Sequence, residues 1–281
     1  FGKNFWYFPK TSRNYLKKLY ANPNKPLFNR ATRSAKPPGS TFKIVEAIAA
    51  LNLGVITPST TIIDKGGETF YGRYFRDDAP KGTYDVITAI EKSSNVFFYN
   101  VIYKLGMKNW YDYARKFGFG QPTHIDIDDE VSGFVPNSQY YINRYGPNWP
   151  KSIMASLGIG QAEVSVTPIQ LAQYAALIAN DGITYTPHVV KGYLENGSRK
   201  FVPFKFKKIN LGISKKIFNI VKKGMYLVVN GTGTATDIRL KNLIIAGKTG
   251  TAQNPHGKDN ALFIGFAPYN NPQIAVAVEV E

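Results

Sequence analysis

The sequence predicts an α+β fold. Helical patterning dominates the chain to about residue 181, and three strand-like runs joined by short links close it. Consecutive strands with short links imply an antiparallel sheet. With 281 residues, 43% of them hydrophobic, the chain can bury one large core or two small ones.

Taken in order, residues 1–30 are aromatic, basic and broken by Pro9, Pro23 and Pro26. They read as an approach segment with one short helix near Tyr15–Tyr20. From Ser40 to Leu53 the pattern is helical, with Gly54 as its end. Phe42, Ile44, Val45, Ile48, Ala49 and Leu51 are apolar almost all round, so this helix should be buried and Lys43 becomes a cation at the edge of a core. Residues 59–83 hold short polar, Gly-rich pieces. Residues 85–105 read as helix interrupted at Lys92-Ser93-Ser94-Asn95, where one helix ends and another starts. A short helix is expected at 108–118, then a loop-rich stretch at 119–152. Thr167 as N-cap and Pro168 behind it open a helix that leaves through Asp181-Gly182. The segment 199-RKFVPFKFKK-208 alternates like an exposed strand. The closing strands are 243–252, 261–268 and 273–281, the last two joined by a turn at Tyr269–Pro272.

Composition narrows the function classes. The net charge of +16 suits an anionic partner, yet the 35 Lys and Arg are spread along the chain. A solvated basic surface and a docking face for membrane or acidic polymer both fit. No helix-turn-helix, zinc-finger or RNA-binding signature supports nucleic acid. Without cysteine there is no disulfide framework and no thiolate metal site. No apolar run approaches the ~18 residues that span a bilayer. The chain begins at Phe1 without a signal peptide, which reads as a fragment whose natural start and any anchor lie elsewhere.

The chemistry rests on three short motifs. In 36-KPPGSTFK-43, Ser40 and Lys43 lie one helical turn apart on a shared face. A serine hydroxyl needs a base to become a nucleophile, and burial lowers a lysine pKa enough to supply one. The bland alternative is an N-cap serine beside a snorkelling lysine. In 93-SSN-95, Ser93 can relay a proton and Asn95 can hold both a lysine and a substrate carbonyl; alone, it also fits a polar helix joint. In 248-KTG-250, extended to Thr251, Lys248 and Thr249 suit a carboxylate, Gly250 admits a substrate backbone, and the Thr251 N–H suits an oxyanion.

Rival sites fail. Gly247-Lys248-Thr249 looks like the end of a phosphate loop, but Asn stands at 242 and no helix pattern follows. There is no G-x-S-x-G. His124, His188 and His256 lack metal-ligand spacing. Gly231-Thr232-Gly233 reads as a flexible polar turn.

The order S-x-x-K, S-x-N, K-T-G is shared by penicillin-binding proteins and class A β-lactamases. Together with 25-KPLFNRATRSAKPPGSTFK-43, 156-SLGIGQAEVSVTPIQLA-172, 246-AGKTGTAQ-253, 262-LFIGFAP-268 and 274-IAVAVEVE-281, the chain resembles the transpeptidase domain of class B penicillin-binding proteins, especially the elongation-specific type, penicillin-binding protein 2. The resemblance implies a five-stranded antiparallel sheet flanked by helices, beside an all-helical subdomain, with residues 31–281 as the transpeptidase domain and its usual C-terminal helix absent. It implies that Ser40 attacks the penultimate D-alanine of a peptidoglycan stem peptide, with Lys43 as base, Ser93 as proton shuttle and Asn95 orienting Lys43 and substrate. Lys248 and Thr249 would hold the terminal carboxylate, Gly250 and Thr251 would line the strand edge, and the N–H groups of Ser40 and Thr251 would form the oxyanion hole. β-Lactams would acylate Ser40. Implied partners are a membrane glycan polymerase and elongation-complex scaffolds, at the periplasmic face of the inner membrane through an absent anchor. No cofactor is implied. Some relatives bind zinc between the first two motifs through Cys and His, which residues 59–92 lack, so no metal is expected. A serine β-lactamase or D,D-carboxypeptidase, which uses water as acceptor, and a β-lactam sensor or wall-synthesis scaffold are the competing readings.

Overall fold

A computed structural model describes residues 9–252 and 259–280, with side chains from residue 14 onward. His256 and Gln253 lie outside the described residues. In chain order the elements begin with α1 (Pro9–Ala21), α2 (Arg30–Arg33), a 3-10 turn (Gly39–Phe42) and α3 (Lys43–Asn52). Four short strands follow, β1 (Ile62–Asp64), β2 (Gly67–Phe70), β3 (Arg73–Arg76) and β4 (Gly82–Tyr84). The helices α4 (Val86–Lys92), α5 (Asn95–Leu105), α6 (Met107–Lys116), α7 (Ser138–Tyr145), α8 (Ile153–Gly158) and α9 (Pro168–Ala179) come next. Then come β5 (Ile183–Tyr185), β6 (Gly192–Leu194), β7 (Phe201–Pro203), β8 (Lys208–Asn210), α10 (Lys215–Asn230) and a 3-10 turn at Thr236–Ile238. The chain closes with β9 (Ala246–Ala252), β10 (Asn260–Ala267) and β11 (Ile274–Val280).

The α+β reading holds, and every sheet is antiparallel. The main sheet has the order β11-β10-β9 among the described residues, three strands where five were expected. The other short strands form separate two-stranded sheets, β5 with β8 and β6 with β7. This also corrects the single exposed strand expected over 199–208, which divides between two different hairpins.

Helix α3 is the buried axis of the molecule. Every side chain from Lys43 to Ala50 is withdrawn from solvent, as its all-round apolar pattern requires. Helix α9 starts as expected, with Thr167 and Gln170 forming a reciprocal capping box and Pro168 in the first turn. The break inside 85–105 is also present. Ser93 ends α4 in the left-handed region (φ 59°), and the Ser94 hydroxyl caps α5 by accepting the Phe97 N–H at 3.2 Å.

Three helices depart from the sequence reading. The expected loop at 119–152 contains α7, capped by Asn137 and anchored by buried Tyr141, and α8 follows directly. The 16-residue α10 had no counterpart in the sequence reading. Its buried residues Phe218, Val221, Met225, Val228 and Val229 keep helical spacing, but Gly224 in their midst reads as a breaker. The structure gives that glycine a packing role. A Cβ at 224 would sit 2.8 Å from Ile90 Cβ, so its absence lets α10 lie close against α4. Helix α10 also packs on β9 and α9 on β11, which seats the sheet on the helical core.

Candidate active site

The backbone around Ser40 is built by close contact. Gly39 holds φ +54°, and a Cβ there would collide with the Thr251 carbonyl. Across the same contact, a Cβ on Gly250 would lie 2.9 Å from the Pro38 carbonyl oxygen. Glycine at both positions therefore lets the 3-10 turn press directly on β9. The Gly39 N–H donates to the Gly160 carbonyl at 2.9 Å, which fixes the turn from a third side.

The bland reading of Ser40 does not survive. The 3-10 turn is preceded by Pro38 and α3 by Phe42, and neither start has a side-chain cap. Ser40 is half-buried and lines the cleft. Nor does Lys43 snorkel, since it is 0% exposed.

The Lys43 amine is held by three acceptors. It donates to the Ser93 carbonyl at 2.7 Å, the Asn95 Oδ1 at 2.6 Å and the Ser93 Oγ at 3.3 Å. The left-handed turn at Ser93, a conformation that costs a non-glycine residue about 1–3 kcal/mol, brings carbonyl, hydroxyl and the following Asn95 to one amine. Burial brings the Lys43 pKa down to about 7, against the opposing pull of Asp77, Glu46, Asp64 and Asp78.

Lys248 approaches the same hydroxyl from β9, donating to Ser93 Oγ at 2.8 Å and to the Thr249 carbonyl at 3.1 Å. It too is fully buried, and burial followed by the Lys43 charge holds its pKa well below the ordinary value. Ser93 Oγ thus lies between two lysine amines, neither of which is comfortable as a cation.

The cleft above these groups has a volume of about 640 Å³ and is lined by Ser40, Ser93, Asn95, Thr249, Gly250 and Thr251. Every residue singled out from the three motifs lines this cleft except Lys43 and Lys248, which lie beneath its floor. Within K-T-G, alternation along β9 buries Lys248 and turns Thr249 and Thr251 outward, while Gly250, with no side chain, borders the cleft through its backbone. Gly247–Thr249 sit inside β9 rather than in a loop before a helix, so a phosphate-loop reading has no structural basis.

Several wall residues escaped the sequence reading. Gly231-Thr232-Gly233 is not a free turn. Glu91 Oε1 accepts the Thr232 N–H at 2.7 Å and its hydroxyl at 3.0 Å, and Lys92 donates to the Thr232 carbonyl and hydroxyl, both at 2.6 Å. Thr234 Oγ1 meets Thr249 Oγ1 at 2.5 Å. Gln161 donates to the Thr251 carbonyl at 2.8 Å. The signal for Gln161 lay in the conspicuous 156-SLGIGQAEVS-165 stretch; Gly-Thr-Gly-Thr carried none beyond its glycines. His124 and His188 are absent from the cleft lining. Among the described residues no group of three or more His, Cys, Asp or Glu is placed to hold a metal.

An antiparallel sheet backed by helices, with S-x-x-K at a helix start, S-x-N at a helix junction and K-T-G on a strand around one cleft, defines the class that penicillin-binding proteins share with serine β-lactamases. The chain belongs to the penicillin binding protein transpeptidase domain family, whose sequence model matches residues 9–281. Within that family its similarity is to the PBP2 (MrdA) type. It is 36% identical to the peptidoglycan D,D-transpeptidase MrdA of Escherichia coli (strain K12), over 94% of this chain and 45% of that protein. The crystal structure of Pseudomonas aeruginosa PBP2 in complex with WCK 5153 superposes with a TM-score of 0.84 at 37% identity, covering 95% of this chain and 61% of that one. The Helicobacter pylori PBP2 in complex with MreC matches with a TM-score of 0.84 at 29% identity, over 96% of this chain and 50% of that one. The chain spans about half the length of the curated relatives it matches.

Proposed function

We propose that the chain carries the D,D-transpeptidase activity of peptidoglycan synthesis, through an acyl-enzyme on Ser40. The observation that carries this reading is the Lys43–Ser93–Lys248 chain of hydrogen bonds beneath the cleft. A lysine with the ordinary pKa of 10.4 would be a free amine in roughly one molecule in 10³ at pH 7. At about 7, half of the Lys43 population is free base.

In the proposed reaction Ser40 Oγ gives its proton to the Lys43 amine and attacks the carbonyl of the penultimate D-alanine. The Ser40 and Thr251 N–H groups receive the developing oxyanion, an arrangement in which one donor is worth about 10²–10³ in rate. Collapse of the tetrahedral intermediate breaks the peptide bond. The proton passes through Ser93 to the leaving D-alanine nitrogen, and Asn95 orients Lys43 and the substrate amide. The amine of a second stem peptide then attacks the ester and restores Ser40. Thr249 takes the terminal carboxylate from the cleft side, while Lys248, beneath it, supplies positive charge when that carboxylate arrives and favours its protonated form. Gly250 leaves room for the substrate backbone.

β-Lactams acylate Ser40 by the same route. The MreC complex of the Helicobacter pylori relative supports an elongation-complex scaffold as partner, and a membrane glycan polymerase completes the proposed assembly at the periplasmic face of the inner membrane. The test is intact mass after incubation with a penicillin. A single stable adduct on the wild type and none on Ser40→Ala is the expected result. No adduct on the wild type, or an adduct retained by Ser40→Ala, overturns the reading. Rapid loss of the adduct to water would instead identify a hydrolase.

A further inference from the structure

Next to the Ser93–Asn95 turn three oxygens meet, one of them from Asp77, which also borders the cleft. Ser94 Oγ lies 2.9 Å from Asp64 Oδ2 and 3.1 Å from Asp77 Oδ2. Ser94 is 0% exposed, Asp64 2% and Asp77 5%. Asp64 ends β1 and Asp77 follows β3, so two separate strand pairs deliver the carboxyls to the start of α5.

Counting hydrogens shows that the cluster is short by one. Ser94 has a single hydroxyl hydrogen and cannot donate to both carboxyls. Its oxygen already accepts from the Phe97 N–H at 3.2 Å. Asp77 has an N–H donor on each oxygen, Val96 on Oδ2 at 2.6 Å and Ala79 on Oδ1 at 2.9 Å. Asp64 Oδ1 accepts the Gly66 N–H at 2.8 Å, but its Oδ2 has no N–H donor among the described residues. The arrangement that leaves the carboxyl with more N–H donors ionised puts a proton on Asp64 Oδ2, shared with Asp77 directly or through the Ser94 hydroxyl, and leaves Asp77 ionised.

We infer that Asp64 and Asp77 are positioning residues that hold one proton between them and, through Ser94 and the Val96 N–H, lock the Ser93–Asn95 turn that grips Lys43. This rests on the proposed function insofar as the grip on Lys43 matters to acylation. The predicted ionisation agrees with the hydrogen count. Burial, then the hydrogen bond with Asp77, pushes Asp64 up. Burial also pushes Asp77 up, but the hydrogen bond from Asp64 and the Ala79 and Val96 N–H groups outweigh it and hold Asp77 down. The other ionisable groups that interact with the pair are Lys43 from α3, Tyr84 from β4 and Tyr99 from α5, while Glu46, Asp78 and Arg73 act on Lys43 or Tyr99 instead. One proton in the pair keeps its charge near −1 rather than −2 beside Lys43. A second negative charge would draw the Lys43 pKa upward and deplete the free amine.

The proton assignment makes the two aspartates unequal, and that inequality is the test. Asp64→Asn places an amide N–H where the acid O–H stood and keeps the chain of donors. Asp77→Asn turns one acceptor into a donor that faces an N–H. The acylation rate with a fluorescent penicillin, measured from pH 5 to 9, should stay within about twofold of wild type at neutral pH for Asp64→Asn and fall about tenfold or more for Asp77→Asn. Asp64→Ala should lose what Asp64→Asn retains, which keeps the comparison alive if Asp77→Asn does not fold. Equal losses in Asp64→Asn and Asp77→Asn, the reverse order, or no rescue by Asn over Ala at 64 would overturn the inference.

Thermal midpoints separate this from the activity itself. The folded Asp64 pKa is raised, so its contribution to stability is complete below the unfolded value and is lost as pH rises through the folded one. Asp64→Asn should lack that loss, and the gap between its midpoint and the wild-type midpoint should change in the variant's favour as pH rises. A pH-independent gap would overturn the shared proton even if no penicillin acylates the wild type.

Discussion

The Lys248 amine donates to the Ser93 hydroxyl at 2.8 Å, and the same oxygen stands 3.3 Å from the Lys43 amine. Two lysines from opposite ends of the chain therefore meet at one side chain, which is the smallest group whose loss would disconnect them. Ser93→Ala should fold normally and lower the rate of acylation by a penicillin by about 10²–10³-fold, within the range for a lost proton-transfer group. A rate within threefold of wild type would remove Ser93 from the proton path.

The Lys43 pKa of about 7 fixes the shape of the pH profile. The neutral amine is the active form, so acylation should rise from pH 6 to 8 and level off above. Lys43→Arg, which stays protonated, should show no such rise and little activity. Stability runs in the same direction, because the buried site favours the neutral amine. The folded pKa lies below the ordinary 10.5, so stability is full above the unfolded value and is lost as pH falls toward 7. Lys43→Met should therefore abolish acylation yet melt higher than wild type at pH 6, by about 2–4 °C for each kcal/mol regained.

The 2.5 Å contact between the Thr234 and Thr249 hydroxyls ties the turn after α10 to the cleft face of β9. Thr234→Val keeps the shape and removes the hydrogen bond. The second-order acylation constant should drop about fivefold to tenfold for carboxylate-bearing penicillins, the net worth of one neutral hydrogen bond being roughly 1–1.5 kcal/mol. The effect should be smaller for an acylating agent that lacks the carboxylate, a comparison stopped-flow fluorescence can make.

Glu46 sits one turn beyond Lys43, 1% exposed, with neither carboxyl oxygen hydrogen-bonded among the described residues. Burial raises its pKa well above the ordinary value, with the Lys43 charge opposing. A raised acid contributes stability that is complete at low pH and declines as pH climbs through the folded value. Glu46→Gln has no proton to lose, so its melting midpoint should gain on wild type as pH increases. Parallel curves would show that Glu46 is ionised throughout.

The proposed reacting groups were legible because that chemistry needs particular residue types at short spacings. Ser40 with Lys43, and Ser93 with Asn95, are local pairs whose relative placement follows from a single turn of chain. The order of the motifs then located Lys248–Thr251. What the sequence left dark depends on contacts between distant segments. Nothing in Gly-Thr-Gly-Thr reveals that Glu91 and Lys92 will seize Thr232. Gly224 looks like a helix breaker until Ile90 is seen against it. Asp64 and Asp77 are unremarked carboxylates until two strand pairs bring them to Ser94 at the start of α5. The resemblance supplied five strands for the main sheet, of which the described residues form three, with β5, β6, β7 and β8 in two-stranded sheets of their own.

The clasp on Thr232 has a consequence for how this cleft can evolve. Glu91 and Lys92 belong to the helical half, Thr232 to the segment that leads into the sheet, and the four hydrogen bonds between them act as a latch on the rim. Loosening the latch would alter the width of the mouth while leaving the floor untouched. If the cleft carries the proposed acylation, discrimination among bulky acylating drugs would be adjustable from the rim, by substitutions that spare every atom that makes or breaks a bond.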